Sequence, residues 1–214
     1  MIERRKLLIL GFGGHARSVA DVALACGYVE LVFVDEHARD GESFLGYSVT
    51  TDIVPYVGLD WVIFPAAGDN RKREIQCITA CELGFPIATL ISPKASIGAG
   101  ASLADGCFVG HHAHVGPMAG VGRACIINTG AIVEHECQVG DFCHVSVNAA
   151  IAGRSRLGDY SMLGAGATII DQVLVCNDVI VGAGAVVSRS IEIPGTYVGV
   201  PARSLSMKPP SQSA

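Results

Sequence analysis

The chain has 214 residues, half of them hydrophobic and only 16% charged, and a formal net charge of −5. That length accommodates one large domain or two small ones and buries a real core, while the acidic balance, with no basic run interleaved with aromatics, excludes a nucleic-acid binder. The longest uncharged stretch, Gly106 to Gly122, holds three histidines, Pro117 and five glycines, so no segment is apolar all round and no transmembrane helix is expected.

Glu3, Arg4, Arg5 and Lys6 precede only four apolar residues, Leu7 to Leu10, which is too short for an export signal. None of the eight cysteines has a CxxC spacing. Reduced thiols and a cytoplasmic chain are therefore expected. Leu7 to Leu10 reads as a strand, Gly11-Phe12-Gly13-Gly14-His15-Ala16-Arg17 as a glycine turn, and Val19 to Leu24 as a helix ending at Gly27. A second strand, Leu31 to Val34, ends in Asp35 and is followed by Glu36.

This βαβ opening puts free backbone N–H groups and a helix dipole where a phosphate can bind. Gly11, Gly13 and Ala16 also fit the dinucleotide fingerprint, with Asp35 where a ribose-binding carboxylate belongs. A strand at Trp61 to Ala66, a helix opened by Asn70 and Arg71 and running to about Gly84, and a last strand at Ile87 to Leu90 complete four strands. That is half of a doubly wound sheet, enough for a mononucleotide. The glycine loop with His15, together with Asp35, is the candidate phosphate or nucleotide pocket, with Asn70 and Arg71 as secondary candidates, against a purely structural turn or a redox cofactor.

From Ile91 every sixth residue is a branched aliphatic for seventeen positions, ending at Val187. Neither a helix nor an ordinary strand keeps a period of six; a parallel β-helix does, one inward side chain per side of each coil. Three sides make a coil of about 18 residues, so the comb spans about five coils spaced about 4.8 Å apart. Glycine recurs directly after the aliphatic at 98, 110, 116, 122, 140, 158, 164 and 182, read as corners with positive φ. Cys107, Cys125, Cys137 and Cys143 fall four residues after comb positions and read as buried filler.

No loop interrupts the coils, so an active site must come from side chains on the prism walls. His135 is the one histidine there bracketed by carboxylates, Glu134 and Glu136, and stacks between Pro117 and Gly153 in the adjacent coils. The missing side chain at Gly153 reads as open space for a ligand. A histidine with an adjacent carboxylate suits a general base. The other histidines of the comb, His111, His112, His114 and His144, lack the spacing of an inter-subunit zinc site, and no metal is expected.

The comb, the stretch VEHECQVGDFCHVSVNAAIAG from Val133 to Gly153, the GFGGHAR opening and the YVGVPAR ending at Arg203 resemble the bacterial sugar acetyltransferases of the left-handed β-helix superfamily. The resemblance extends to UDP-4-amino-sugar N-acetyltransferases of the bacillosamine pathway, GDP-perosamine N-acetyltransferases and sialic acid O-acetyltransferases. It implies a small Rossmann-like nucleotide-sugar domain over residues 1–90, a left-handed parallel β-helix over 91–203 and a polar tail over 204–214. It further implies a homotrimer with active sites between prisms and acetyl-CoA as co-substrate. His135 matches the catalytic base and Glu136 its partner; His144 matches a residue near the thioester, Gly153, Ala165 and Ala183 match the pantetheine wall, and Gly13, Gly14, His15, Asp35 and Glu36 match the nucleotide-sugar pocket. The implied reaction is direct N-acetylation of a nucleotide-linked 4-amino sugar. O-acetylation of a sialic acid or other sugar hydroxyl is the enzymatic alternative, and a silent binding scaffold the non-enzymatic one.

Overall fold

The computed structural model describes residues 5–205. Strand β1 (Arg5–Leu10), helix α1 (Gly14–Ala25) and strand β2 (Tyr28–Val34) form the expected βαβ unit. Beyond them come a short hairpin, β3 (Ser43–Phe44) with β4 (Tyr47–Thr50), then β5 (Val62–Pro65) and helix α2 (Asn70–Glu82). The sheet order is β3-β4-β2-β1-β5, parallel except within the hairpin.

Two local readings need correction. The hairpin adds to the expected elements, because strands of two and four residues carry too little alternation to mark them in the sequence. The strand expected at Ile87 to Leu90 is reduced to a single bridge between Ile63 and Ile87; Leu90–Ile91 instead pairs with Phe108–Val109 as the first rung of the β-helix.

The comb builds a three-sided prism in which each strand pairs in parallel with the strand one coil on, as His114 with Ile132 and Ile132 with Ala150. The first face carries Ile132–Val133 and the second Gln138–Val139. The third, here the docking face, carries Phe108–Val109, Ile126–Ile127 and His144–Val145 and ends in Gly195–Val198 with antiparallel Arg203–Ser204. The expected tail thus has its first residue, Ser204, in this closing strand, and 206–214 lie outside the described residues. Every comb aliphatic from Val109 to Val187 is buried, whereas Ile91 and Ile97 are more than a third exposed because no coil stacks beneath them.

The corners differ from expectation in an instructive way. Positive φ falls three residues after each aliphatic, from Gly100 to Gly184, and most of these positions are not glycine: His112, Glu136, Phe142 and Asn148 lie between 54° and 59°. Left-handed backbone costs about 1 kcal/mol or more per residue, and it persists here because the amide at these corners bonds the coil beneath, as Glu136 to Pro117 and Asn148 to Thr129. The glycines directly after the aliphatics serve close approach instead. A Cβ at Gly110 would lie 2.7 Å from the Thr129 nitrogen.

Cys107, Cys125, Cys137 and Cys143 are fully buried and free. Their thiols donate to carbonyls on the next coil, as Cys125 to Gly140 and Cys143 to Gly158. Among the described residues no helix is long and apolar enough to cross a membrane, and no group of three or more potential ligands could hold a metal ion.

The α/β domain sits on the docking face. Phe108 and Ile126, outward on that face, are fully buried in one apolar cluster with Leu7, Ile9, Val19 and Phe33, each such burial stabilising by about 1.5–3 kcal/mol. Helix α2 lies along the neighbouring corner. Arg71 pairs with Asp178 and stacks over Tyr160, whose hydroxyl donates to Glu74.

Candidate active site

His135 lies on the edge between the first and second faces, directly after Glu134. Its backbone N–H donates to the Glu134 carboxylate at 3.1 Å. The ring's Nδ1 is 3.2 Å from Glu136 Oε2, and since the carboxylate can only accept, the neutral ring carries its proton on Nδ1 and its lone pair on Nε2. Arg154, one coil on, approaches the same carboxylate at 3.7 Å. The His135 side chain is 42% exposed on the prism edge. Cys137, by contrast, turns its thiol inward to the Ala152 carbonyl at 3.0 Å, and burial raises its pKa.

The space reading of Gly153 is corrected. A Cβ there would overlap the His135 ring itself, so the absent side chain makes room for the imidazole rather than for a ligand. Glycine at this position lets the base lie flat along the prism edge.

A second constellation lies on the docking side. A cavity of about 630 Å³ opens at the carboxyl ends of β1, β2 and β5, between the amino ends of α1 and α2, and is lined in part by Gly13, Gly14, His15, Asp35 and Glu36. Strand ends and helix amino ends at such a crevice are where an open α/β sheet binds anionic ligands. Gly13 caps α1 without a side-chain bond, leaving first-turn N–H groups for a ligand. Asp35 braces the walls: its two oxygens accept from the Phe12 and His37 amides at 2.8 and 2.9 Å. Glu36 is exposed and lies 3.5 Å from His37.

Asn70 does not line this cavity. Its amide donates to the Tyr160 and Ser161 carbonyls and its oxygen accepts from Arg73, so it ties α2 to the prism, and Asp69, not Asn70, caps the helix.

His15 turns from the glycine loop toward the prism, edge-on to Phe108 at 5.0 Å and 6.1 Å from the His144 ring. Among the described residues its buried Nε2 has no hydrogen-bond partner. His144 shares the outward column of Phe108 and Ile126 and is buried for the same reason. Its Nδ1 donates to the Gly68 carbonyl at 3.2 Å, and its Nε2 accepts from the Asn128 amide at 3.2 Å. Burial, and then the charge of Arg73, hold His144 down to about 4; burial, His144 and Arg73 hold His15 down to about 3. Both rings are neutral at physiological pH.

Within one chain these parts do not converge. His135, Glu136 and Gly153 occupy the edge between first and second faces, His144 the docking face, and Ala165 and Ala183 lie exposed on the edge between docking and first faces. One full side of the prism separates the two edges, roughly 20 Å at strand rise.

Residues 6–77 match the model of the PglD N-terminal domain. Among solved structures, the acetyltransferase domain of PglB from Neisseria gonorrhoeae in complex with acetyl coenzyme A is 34% identical over 94% of this chain and 100% of that one, with a TM-score of 0.89. PerB from Caulobacter crescentus, in complex with CoA and GDP-perosamine, is 34% identical over 94% and 97%, with a TM-score of 0.87. The chain belongs to the hexapeptide-repeat sugar acetyltransferases. No curated protein sequence matches it.

For a sugar acetyltransferase the sequence reading overlooked one residue of consequence. Arg73 is wholly buried at the seam of prism and α/β domain. Its spacing with Cys77 and Ala80, the other buried residues of α2, marks it on the inward face of the helix, and that was the available signal.

Proposed function

We propose that this acetyltransferase uses acetyl-CoA to acetylate the 4-amino group of a nucleotide-linked 4-amino-4,6-dideoxy sugar, with UDP, GDP or dTDP as the nucleotide. In this reading residues 1–90 present the sugar and 91–203 carry out the transfer. The observation that carries it is His135, a bare Nε2 backed by Glu136 on an exposed prism edge. The complexes of the relatives with acetyl coenzyme A, CoA and GDP-perosamine support the two substrates.

The protein acts as a homotrimer with active sites between prisms. The separation of the two constellations supports this: the cavity lined by His15, Asp35 and Glu36, with the His144 ring 6.1 Å from that of His15, opens on the docking side, whereas His135 and Glu136 stand on the edge between the first and second faces. A neighbouring prism supplies the missing half, and acetyl-CoA threads the cleft past Gly153 on one wall and Ala165 and Ala183 on the other.

The glycine loop and the first turn of α1 bind the diphosphate through backbone N–H groups. The amine lone pair attacks the thioester carbonyl, forming the C–N bond, and His135 Nε2 takes a proton from that nitrogen while Glu136 stabilises the imidazolium. Collapse of the tetrahedral intermediate breaks the C–S bond, and the proton passes from His135 to the departing thiolate. Cys137, facing the core, takes no part, so transfer is direct. His135→Ala tests the reading: CoA release from acetyl-CoA and a panel of nucleotide-linked 4-amino sugars is expected to fall about 100-fold or more, and unchanged release removes His135 as the base. Thermal stabilisation by none of the nucleotide sugars would remove the assignment of the cavity.

A further inference from the structure

Arg73 is 0% exposed, and among the described residues it forms no ion pair. Its Nε donates to the Ala124 carbonyl at 2.7 Å, one terminal nitrogen to Ala67 and Gly68 at 2.9 and 3.3 Å, and the other to Asn70 Oδ1, Phe142 and Cys143 at 2.8 to 3.1 Å. A guanidinium taken out of water without a counter-charge is expensive. Apolar packing would join two domains at less cost, so a cross-link alone does not account for it.

One of these partners does a second job. The Gly68 carbonyl that Arg73 holds also accepts from His144 Nδ1. A carbonyl at that nitrogen requires the proton to sit on Nδ1, which leaves the lone pair on Nε2. Arg73 from α2 is the charged group acting on His144, and the His15 ring from α1 faces it at 6.1 Å. The fixed positive charge opposes a proton on either ring, and the orphaned Nε2 of His15 lies in the same buried seam.

We propose that Arg73 is a positioning residue for acetyl transfer: by clamping the Gly68 carbonyl against His144 it fixes that ring as the neutral Nδ1–H tautomer, with its Nε2 lone pair turned toward Asn128. In this arrangement the ring stays fixed beside the cavity whose lining includes Gly68 and His15. The role of His144 in the site rests on the functional reading above; its tautomer does not.

The test is long-range proton–nitrogen correlation of the full chain with labelled histidines between pH 5 and 8, with His144→Gln for assignment. Wild-type His144 is expected as the Nδ1–H tautomer with no titration down to pH 5. In Arg73→Met, His144 is expected to titrate at least about one unit higher, the acid limb of kcat/KM to move with it, and KM for acetyl-CoA to rise. Arg73→Lys, which keeps the charge without the fork, is expected to keep the ring neutral but release the tautomer. A wild-type Nε2–H tautomer, titration above pH 6, or variants that unfold more readily yet leave the His144 spectrum and the pH limb unchanged would each overturn the proposal. Should Arg73→Met not fold, the wild-type spectrum and Arg73→Lys decide. These spectra read positioning alone and the His135→Ala assay reads the transferase assignment alone, so the two failures are distinguishable.

Discussion

Gly153→Ala separates catalysis from stability more sharply than removal of His135 does. The added methyl would lie 2.5 Å from His135 Cε1 and closer still to Nε2, about an ångström inside ordinary contact, so the ring must leave the edge. It can, because it is 42% exposed and among the described residues its one side-chain partner is Glu136 at 3.2 Å. An exposed bond of that kind stabilises by at most about 1 kcal/mol. Gly153 is not at positive φ, so alanine adds no backbone strain. The unfolding midpoint should therefore shift by only a few degrees. A base swung out of place forfeits about 100-fold or more in rate, close to 2.7 kcal/mol of barrier. CoA release followed by chromatography, avoiding thiol reagents that would also report the exposed Cys81, measures the first quantity, and thermal unfolding the second. A variant with wild-type midpoint and kcat/KM within about threefold would refute both the ring's placement and its role.

Stability should also fall with acid in a defined window. His15 and His144 are held below their unfolded pKa, so the unfolded chain binds more protons; their contribution is present above about pH 6.5 and is lost as pH falls toward 3 to 4. His144 alone accounts for about 3 kcal/mol, and urea midpoints between pH 7 and 4.5 check it, a flat profile being inconsistent. In the prism, Gly110→Ala should cost about 3 kcal/mol because the methyl meets the Thr129 backbone at 2.7 Å. Gly166→Ala, with a φ of +66° and open space around it, should cost only about 1 kcal/mol. Equal losses in denaturant titrations would mean that conformation, not approach between coils, selects the glycines.

Much of the candidate site was legible because its chemistry is local. His135 and Glu136 are adjacent in sequence and bonded in space, and the glycine loop lies at the head of α1 because a strand, a turn and a helix follow one another in the chain. What escaped depends on contacts between distant segments. Asn70 has the sequence of a pocket residue but spends its side chain on Tyr160 and Ser161, ninety residues away. His144 is a prism-surface residue by its position in the comb and buried only because another domain covers that face. Arg73 is one of several cations in a polar helix until the prism carbonyls surround it.

The amino-acid sequence by itself determined the prism, since a period of six can satisfy only a coil that sends one aliphatic inward per side, and it determined the presence of a histidine–carboxylate pair on a wall without loops. Only the tertiary structure decided which glycines are crowded rather than strained, that the gap at Gly153 is filled by the His135 ring, and that the α/β domain covers the docking face and turns His15 and His144 neutral. Periodicity and adjacency are properties of the chain, whereas burial, and with it protonation and close approach, is set by what a second, distant segment brings to the same surface.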